Sequence, residues 1–69
     1  MKVSYDPKTD ILAIILVKNA EIHESDEDKP GVILDYDEKG SLVSIEILDA
    51  SKKMPDINKM EFELLSTAA

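Results

Sequence analysis

Hydrophobic and polar positions alternate at Val3 and Tyr5, then give way to an unbroken apolar run from Ile11 to Val17. Alternation predicts a half-buried strand. The seven-residue run, rich in β-branched side chains and fenced by turn residues, predicts a strand covered on both faces. Between them Asp6-Pro7-Lys8-Thr9 has the signature of a type I turn, with Asp at the first position and Pro presetting φ at the second. Lys18-Asn19 can turn the chain because Asn tolerates the left-handed region. Glu21 to Ser25 predicts a weaker polar strand at a sheet edge, where charge discourages stray pairing. Asp26 to Gly31 reads as an exposed acidic loop.

The best-organised pattern spans 31–51. Val32 to Tyr36 and Leu42 to Leu48 are strand-like, and Glu38-Lys39-Gly40 fits a three-residue hairpin loop, a type I turn closed by a left-handed glycine. That turn pairs Asp37 with Ser41 and, continued regularly, Asp35 with Val43, Ile33 with Ile45 and Val32 with Glu46. One face then carries Ile33, Val43, Ile45 and Ile47. The other carries Val32, Leu34, Tyr36, Leu42 and Leu48, interrupted by Ser44 and Glu46. Asp49 to Met54 predicts a short helix capped by Asp49 or Ser51, with Lys52 and Lys53 at its C-terminal end and Pro55 as the stop. In Lys59 to Leu65, Met60, Phe62 and Leu64 alternate with Glu61 and Glu63, which favours a strand, although Asp56 could cap a helix there. Ser66 to Ala69 is expected to fray. The predicted fold is a single α+β domain: a small antiparallel sheet of about five or six strands built from hairpins, with one short helix after the 41–48 strand.

Sixty-nine residues lie near the lower limit for an unstapled core, and there is no cysteine to supply a disulfide or thiolate metal site. This fits a reducing cytoplasm. The N-terminus lacks the apolar stretch of a signal peptide, and no run approaches the roughly 20 residues of a membrane-spanning helix. Fifteen acids against eight bases give a net charge of −7, and every base is lysine. Without arginine or a basic stripe, direct nucleic-acid binding is not expected, nor is binding to an anionic membrane. The acidic surplus confers solubility and can steer the chain toward a basic partner.

Candidate chemistry is sparse. Asp35, Asp37, Gly40 and Glu46 match positions 1, 3, 6 and 12 of a calcium-binding loop, but Lys39 occupies position 5 and both flanks are strand-like rather than helical. A hairpin explains the glycine and the alternation together. His23 is the sole histidine, and with Glu21 it makes at most half a metal site. Glu24, Asp26, Glu27 and Asp28 form an acidic cluster, read as a solvated loop that could dock a partner or hold a cation weakly. Ser51 has no nucleophile elbow around it and reads as a helix cap. Asp35 and Asp37 share a strand face as paired carboxylates, but 69 residues leave little room for a water-excluding cleft around them. No catalytic residue, cofactor site or metal site is assigned, and the chain is not expected to be an enzyme.

The runs YDPKTDILAIIL and GVILDYDEKGSLVSIEILDASK resemble DUF2283, a family of short, mostly prokaryotic proteins of unknown function with the pattern YDPxxDxLxIxL followed by PGVILDYDxxGxxVxIEILDAS. The likeness covers residues 3–53. It departs at Ala13-Ile14, where the family often has an aromatic, and near Asn19, where a glycine is missing. The resemblance implies no catalytic residues. It does imply an antitoxin-like half of a small toxin–antitoxin pair, for which an acidic protein with a basic partner is suited.

Counting faces leads to self-association. Ile11 to Val17 and the 32–48 hairpin are apolar on both sides, and one short helix covers about two turns' worth of one face. The residues therefore favour a non-catalytic interaction module, a homodimer or larger, able to engage a basic protein. The alternative is a small-ligand or metal-binding module using the acidic loop 24–28 or His23.

Overall fold

The computed structural model describes residues 1–66. Five strands and one helix follow one another: β1 (Lys2–Asp6), β2 (Ile11–Ile15), β3 (Glu24–Lys29), β4 (Val32–Tyr36), β5 (Leu42–Ile47) and α1 (Ala50–Lys53). They form one antiparallel sheet in the order β1-β2-β5-β4-β3, so the α+β expectation holds. The two hairpins lie side by side through β2 and β5, and β1 and β3 are the edges. Residues 16–23 bridge from β2 to the far edge.

The turn at 37–41 forms as its residues predict. Gly40 is left-handed at φ 82°, and the Asp37 carboxylate accepts the Lys39 and Ser41 N–H groups at 2.9 Å each. The Asp37 N–H donates to the Ser41 carbonyl at 2.9 Å. Beyond that point the register departs from regular continuation. Tyr36 faces Leu42, but Asp35 faces Ser44, Ile33 faces Glu46 and Val32 faces Ile47. Val43 is an extra residue, a β-bulge, and its carbonyl accepts the Leu16 and Val17 N–H groups at 2.9 and 3.2 Å.

Because side chains alternate with period 2, a slip of one residue exchanges the faces of β5. Ile45 and Ile47 join Val32, Leu34 and Tyr36, and across β2 and β1 they continue into Leu12, Ile14, Val3 and Tyr5. Ser44 and Glu46 share the opposite face with Ile33 and Asp35. The bulge thus sorts the sheet into one apolar face and one polar-studded face, where regular pairing would mix them.

Three other expectations are corrected. The acidic segment is not a loop: Glu24–Lys29 is strand β3 itself, and residues 21–23 precede it. Pairing with the apolar β4 overrides the low strand propensity of Asp and Ser. At an edge these side chains remain in water, and all six are exposed. The Ile11 strand stops at Ile15, and its five residues are half-buried rather than covered on both sides. Segment 59–65 forms neither strand nor helix, and no backbone hydrogen bond among the described residues joins 60–65 to the sheet. The expected fraying concerned 66–69, of which 67–69 lie outside the described residues.

Val43, 2% exposed, and Ala50, fully buried, are the core's only completely enclosed hydrophobic residues among those described. Residues 54–60 lie over the apolar face, where Met54, Ile57 and Met60 line a cavity of about 550 Å³ with Val3, Tyr5, Leu12 and Ile14. The cover is partial.

Candidate functional site

Two aspartates organise the polar groups. Asp35 sits in β4 between Ser25 of β3 and Ser44 of β5, one row of residues running across three strands. Ser25 Oγ donates to its Oδ1 at 2.6 Å, and Ser44 Oγ donates to Oδ2 at 2.7 Å. Asp35 is 1% exposed, a buried acid with a hydroxyl on each oxygen. Such a group is tolerated only when hydrogen-bonded, and no buried side-chain nitrogen or oxygen among the described residues lacks a partner.

Glu46 lies on the same face, two residues along β5 from Ser44. Burial pushes the Asp35 carboxyl upward, but donation from Ser25, Ser44 and the Glu46 carboxyl outweighs it and leaves Asp35 below the usual carboxylate range. Glu46 moves the opposite way: its hydrogen bond to Asp35 raises it most, followed by burial and by the Asp35 charge. The arrangement thus favours the ionised form of Asp35 and the protonated form of Glu46.

Asp10 holds the second cluster, at the left-handed end of the β1–β2 turn (φ 56°). Its Oδ1 accepts the Tyr5 hydroxyl at 2.8 Å and the Ser51 N–H at 2.9 Å, its Oδ2 accepts the Ser51 hydroxyl at 2.7 Å, and its carbonyl accepts the Ala50 N–H at 3.0 Å. The Ser51 hydroxyl, then Tyr5, then the Ser51 N–H lower the Asp10 carboxyl. The helix start is therefore satisfied from 41 residues upstream. Asp49, the residue at the cap position, is left-handed (φ 51°) and makes no side-chain cap, and Ser51 donates to Asp10 instead of capping. At the other end Lys53 donates to the Leu48 carbonyl, beside Gly31.

The residues singled out in the sequence fall elsewhere. Glu24, Asp26, Glu27 and Asp28 line the exposed edge β3, where Glu27 Oε2 accepts the Gly31 N–H at 2.8 Å across the turn. His23, Glu21 and Ile22 border a small hollow of about 90 Å³ with Glu38 from the β4–β5 turn. No group of three or more His, Asp or Glu among the described residues is placed to hold a metal ion. The loop compared with a calcium site is a hairpin flanked by strands, and its Asp37 carboxylate is committed to the turn. A third hollow, about 180 Å³, lies between Ile15, Val43, Ser44, Ala20 and Ile22. Asp35 and Glu46 line none of these three cavities.

The Asp35–Glu46 pair was not found from the sequence, because regular pairing puts Glu46 on the other face. The one signal was polar Ser44 and Glu46 alternating with Ile45 and Ile47, which already favours placing the two polar residues together with Asp35.

The fold and its two aspartate clusters define a small open-faced α+β sheet protein. The chain belongs to the DUF2283 family, described as a protein of unknown function, whose model matches residues 2–51. That range contains all five strands, Asp10, Asp35 and Glu46, and ends at Ser51, the Asp10 partner. No curated protein and no solved structure matches the chain. No helix among the described residues is long and apolar enough to cross a membrane.

Proposed function

We propose that the chain is a non-catalytic protein-interaction module that works as a homodimer or larger assembly. The carrying observation is the apolar surface left open in a single copy: Met60, Phe62, Leu64 and Leu65 are 65%, 73%, 82% and 71% exposed, whereas Val43 and Ala50 are the two enclosed hydrophobic residues among those described. The radius of gyration, 13.8 Å, also exceeds the roughly 11 Å of a compact chain of this length. Burying a large aliphatic side chain contributes roughly 1.5–3 kcal/mol, so four per subunit offset the lower estimates of association cost. Light scattering at about 100 μM tests this: a mass of two or more chains is expected, and a 7.7 kDa species alone refutes it.

The acidic edge suits a basic protein partner, the antitoxin-like role that the family resemblance implies. An exposed edge strand offers a ladder of backbone groups, and Glu24, Asp26, Glu27 and Asp28 set the charge of what can add to it. Small-ligand binding is the second reading, favoured by the 550 Å³ apolar cavity under residues 54–60, whose size suits a small molecule. An apolar fluorescent probe that competes with dimer formation would support the first reading, and one bound by the intact oligomer would support the second.

A further inference from the structure

The two edges of the sheet differ in charge, β1 balanced and β3 acidic, and segment 59–65 is matched to one of them. We infer that this segment of one copy adds as an antiparallel strand to the outer edge of β1 in a second copy, the exchange being reciprocal. This rests on the self-association proposed above and specifies how it is made.

The segment already has a strand's pattern without a strand's partners. Met60, Phe62 and Leu64 alternate with Glu61 and Glu63, and all are exposed. Edge strands present unpaired N–H and C=O groups, and such a ladder binds an extended segment whose side-chain period is also 2. β3 is the wrong edge, since four acids there would meet Glu61 and Glu63. β1 (Lys2-Val3-Ser4-Tyr5-Asp6) is the right one. In the antiparallel register that places Glu61 opposite Ser4, Lys59 faces Asp6 and Glu63 faces Lys2, so both charged pairs are of opposite sign. The same register puts Met60 opposite Tyr5 and Phe62 opposite Val3, which extends the apolar face by one strand. Directly opposed side chains of this kind are what stabilise a sheet.

A second copy is the occupant because of where the segment starts. Residues 54–60 lie over the apolar face, lining the cavity with Val3, Tyr5, Leu12 and Ile14. The chain reaches Met60 above its own sheet, not beside it, and pairing with its own β1 would have to fold the segment back from that face around the edge strand it starts over. Reciprocal exchange leaves each copy's 54–58 in place and closes a two-fold assembly.

The native chain has no cysteine, so crosslinks report contacts cleanly. Ser4→Cys and Glu61→Cys, made in separate chains of different tag length and mixed, are oxidised and separated by mass. A dominant disulfide between the two variants is expected, with none above background when Glu27→Cys replaces Ser4→Cys. Lys2→Glu should weaken dimerisation by up to about 5-fold, and adding Glu63→Lys should restore it. A dimer without the Ser4–Glu61 crosslink overturns the strand exchange and leaves self-association standing. A double variant that closes only within one chain assigns the segment to its own β1 and overturns the exchange. A chain that is monomeric throughout overturns both.

Discussion

Asp35 and Asp10 make nearly the same hydrogen bonds in opposite surroundings. Each carboxylate accepts two hydroxyl groups, at 2.6 and 2.7 Å for Asp35 and at 2.8 and 2.7 Å for Asp10. Each is held below the usual carboxylate range by those donors. Burial is the largest influence on Asp35 and opposes its charge, whereas at Asp10 it is minor. When a donor is lost, water can replace it at the rim of the sheet or at its exposed edge, but not at Ser44 in the middle of the sheet. Equal geometry therefore predicts unequal consequences, and the difference can be measured.

The largest effect is expected for Asp35→Ala, which leaves the nearly buried Ser44 hydroxyl and the Glu46 carboxyl without their acceptor. A loss of about 2–4 kcal/mol in urea unfolding is expected, from hydrogen bonds to a charged group and unsatisfied buried polar atoms. In a domain of this size that is a large share of the total. Unfolding at the native midpoint would show that Asp35 does not pin β4 to its neighbours.

Ser44→Ala and Ser25→Ala divide that loss. Ser44 is at the limit of burial and Ser25 is exposed, so water can take over at Ser25. A loss of about 1–3 kcal/mol is expected at Ser44, and less at Ser25. Equal losses would place both oxygens of Asp35 in the same environment and remove the distinction from Asp10.

Asp10→Ala is expected to cost less than either β5 or β4 variant, because its carboxylate sits at a solvated rim. Its effect should be local: the far-UV signal of α1 falls and amide exchange at Ala50 and Ser51 quickens, while β4 and β5 amides keep their protection. Global unfolding instead would mean that the helix and the sheet form one cooperative unit through Asp10.

These contrasts show where the sequence was legible. Turn chemistry was readable because it is local: Asp37, Gly40 and Asn19 each take the conformation their residue types favour. Strand existence followed from apolar runs for the same reason. The Val43 bulge was not readable from the turn, since its extra residue is stabilised by Leu16 and Val17, 27 and 26 positions away. One residue of slip then moved Glu46 beside Asp35. The Asp10 cap was hidden by a greater separation, 41 residues, because local rules offered Asp49 and Ser51 first. The acidic strand was missed since propensity spoke for a loop, and pairing with β4 prevailed.

Glu46→Gln is the smallest change and the one that separates the clusters most sharply, since Asp35 is shifted by a neighbouring carboxyl and Asp10 by hydroxyl and N–H donors. The folded Glu46 lies above its ordinary value of 4.5, so its contribution is complete below that pH and is lost as pH rises through the folded value. Asp35 runs the other way: its contribution is complete above its ordinary 3.8 and is lost as pH falls through the lower folded value. Together they place the pair's greatest stabilisation near pH 4, between the two ordinary values, with a decline on either side. Glutamine donates the same hydrogen bond to Asp35 at every pH and cannot ionise. The variant should therefore match the native chain near pH 4 and exceed it increasingly above the Glu46 titration, while the acid-side loss from Asp35 remains. Urea midpoints across pH 3 to 8 read this directly. Parallel curves for the two proteins would mean that Glu46 titrates as an ordinary exposed acid and that Asp35 holds its charge with Ser25 and Ser44 alone.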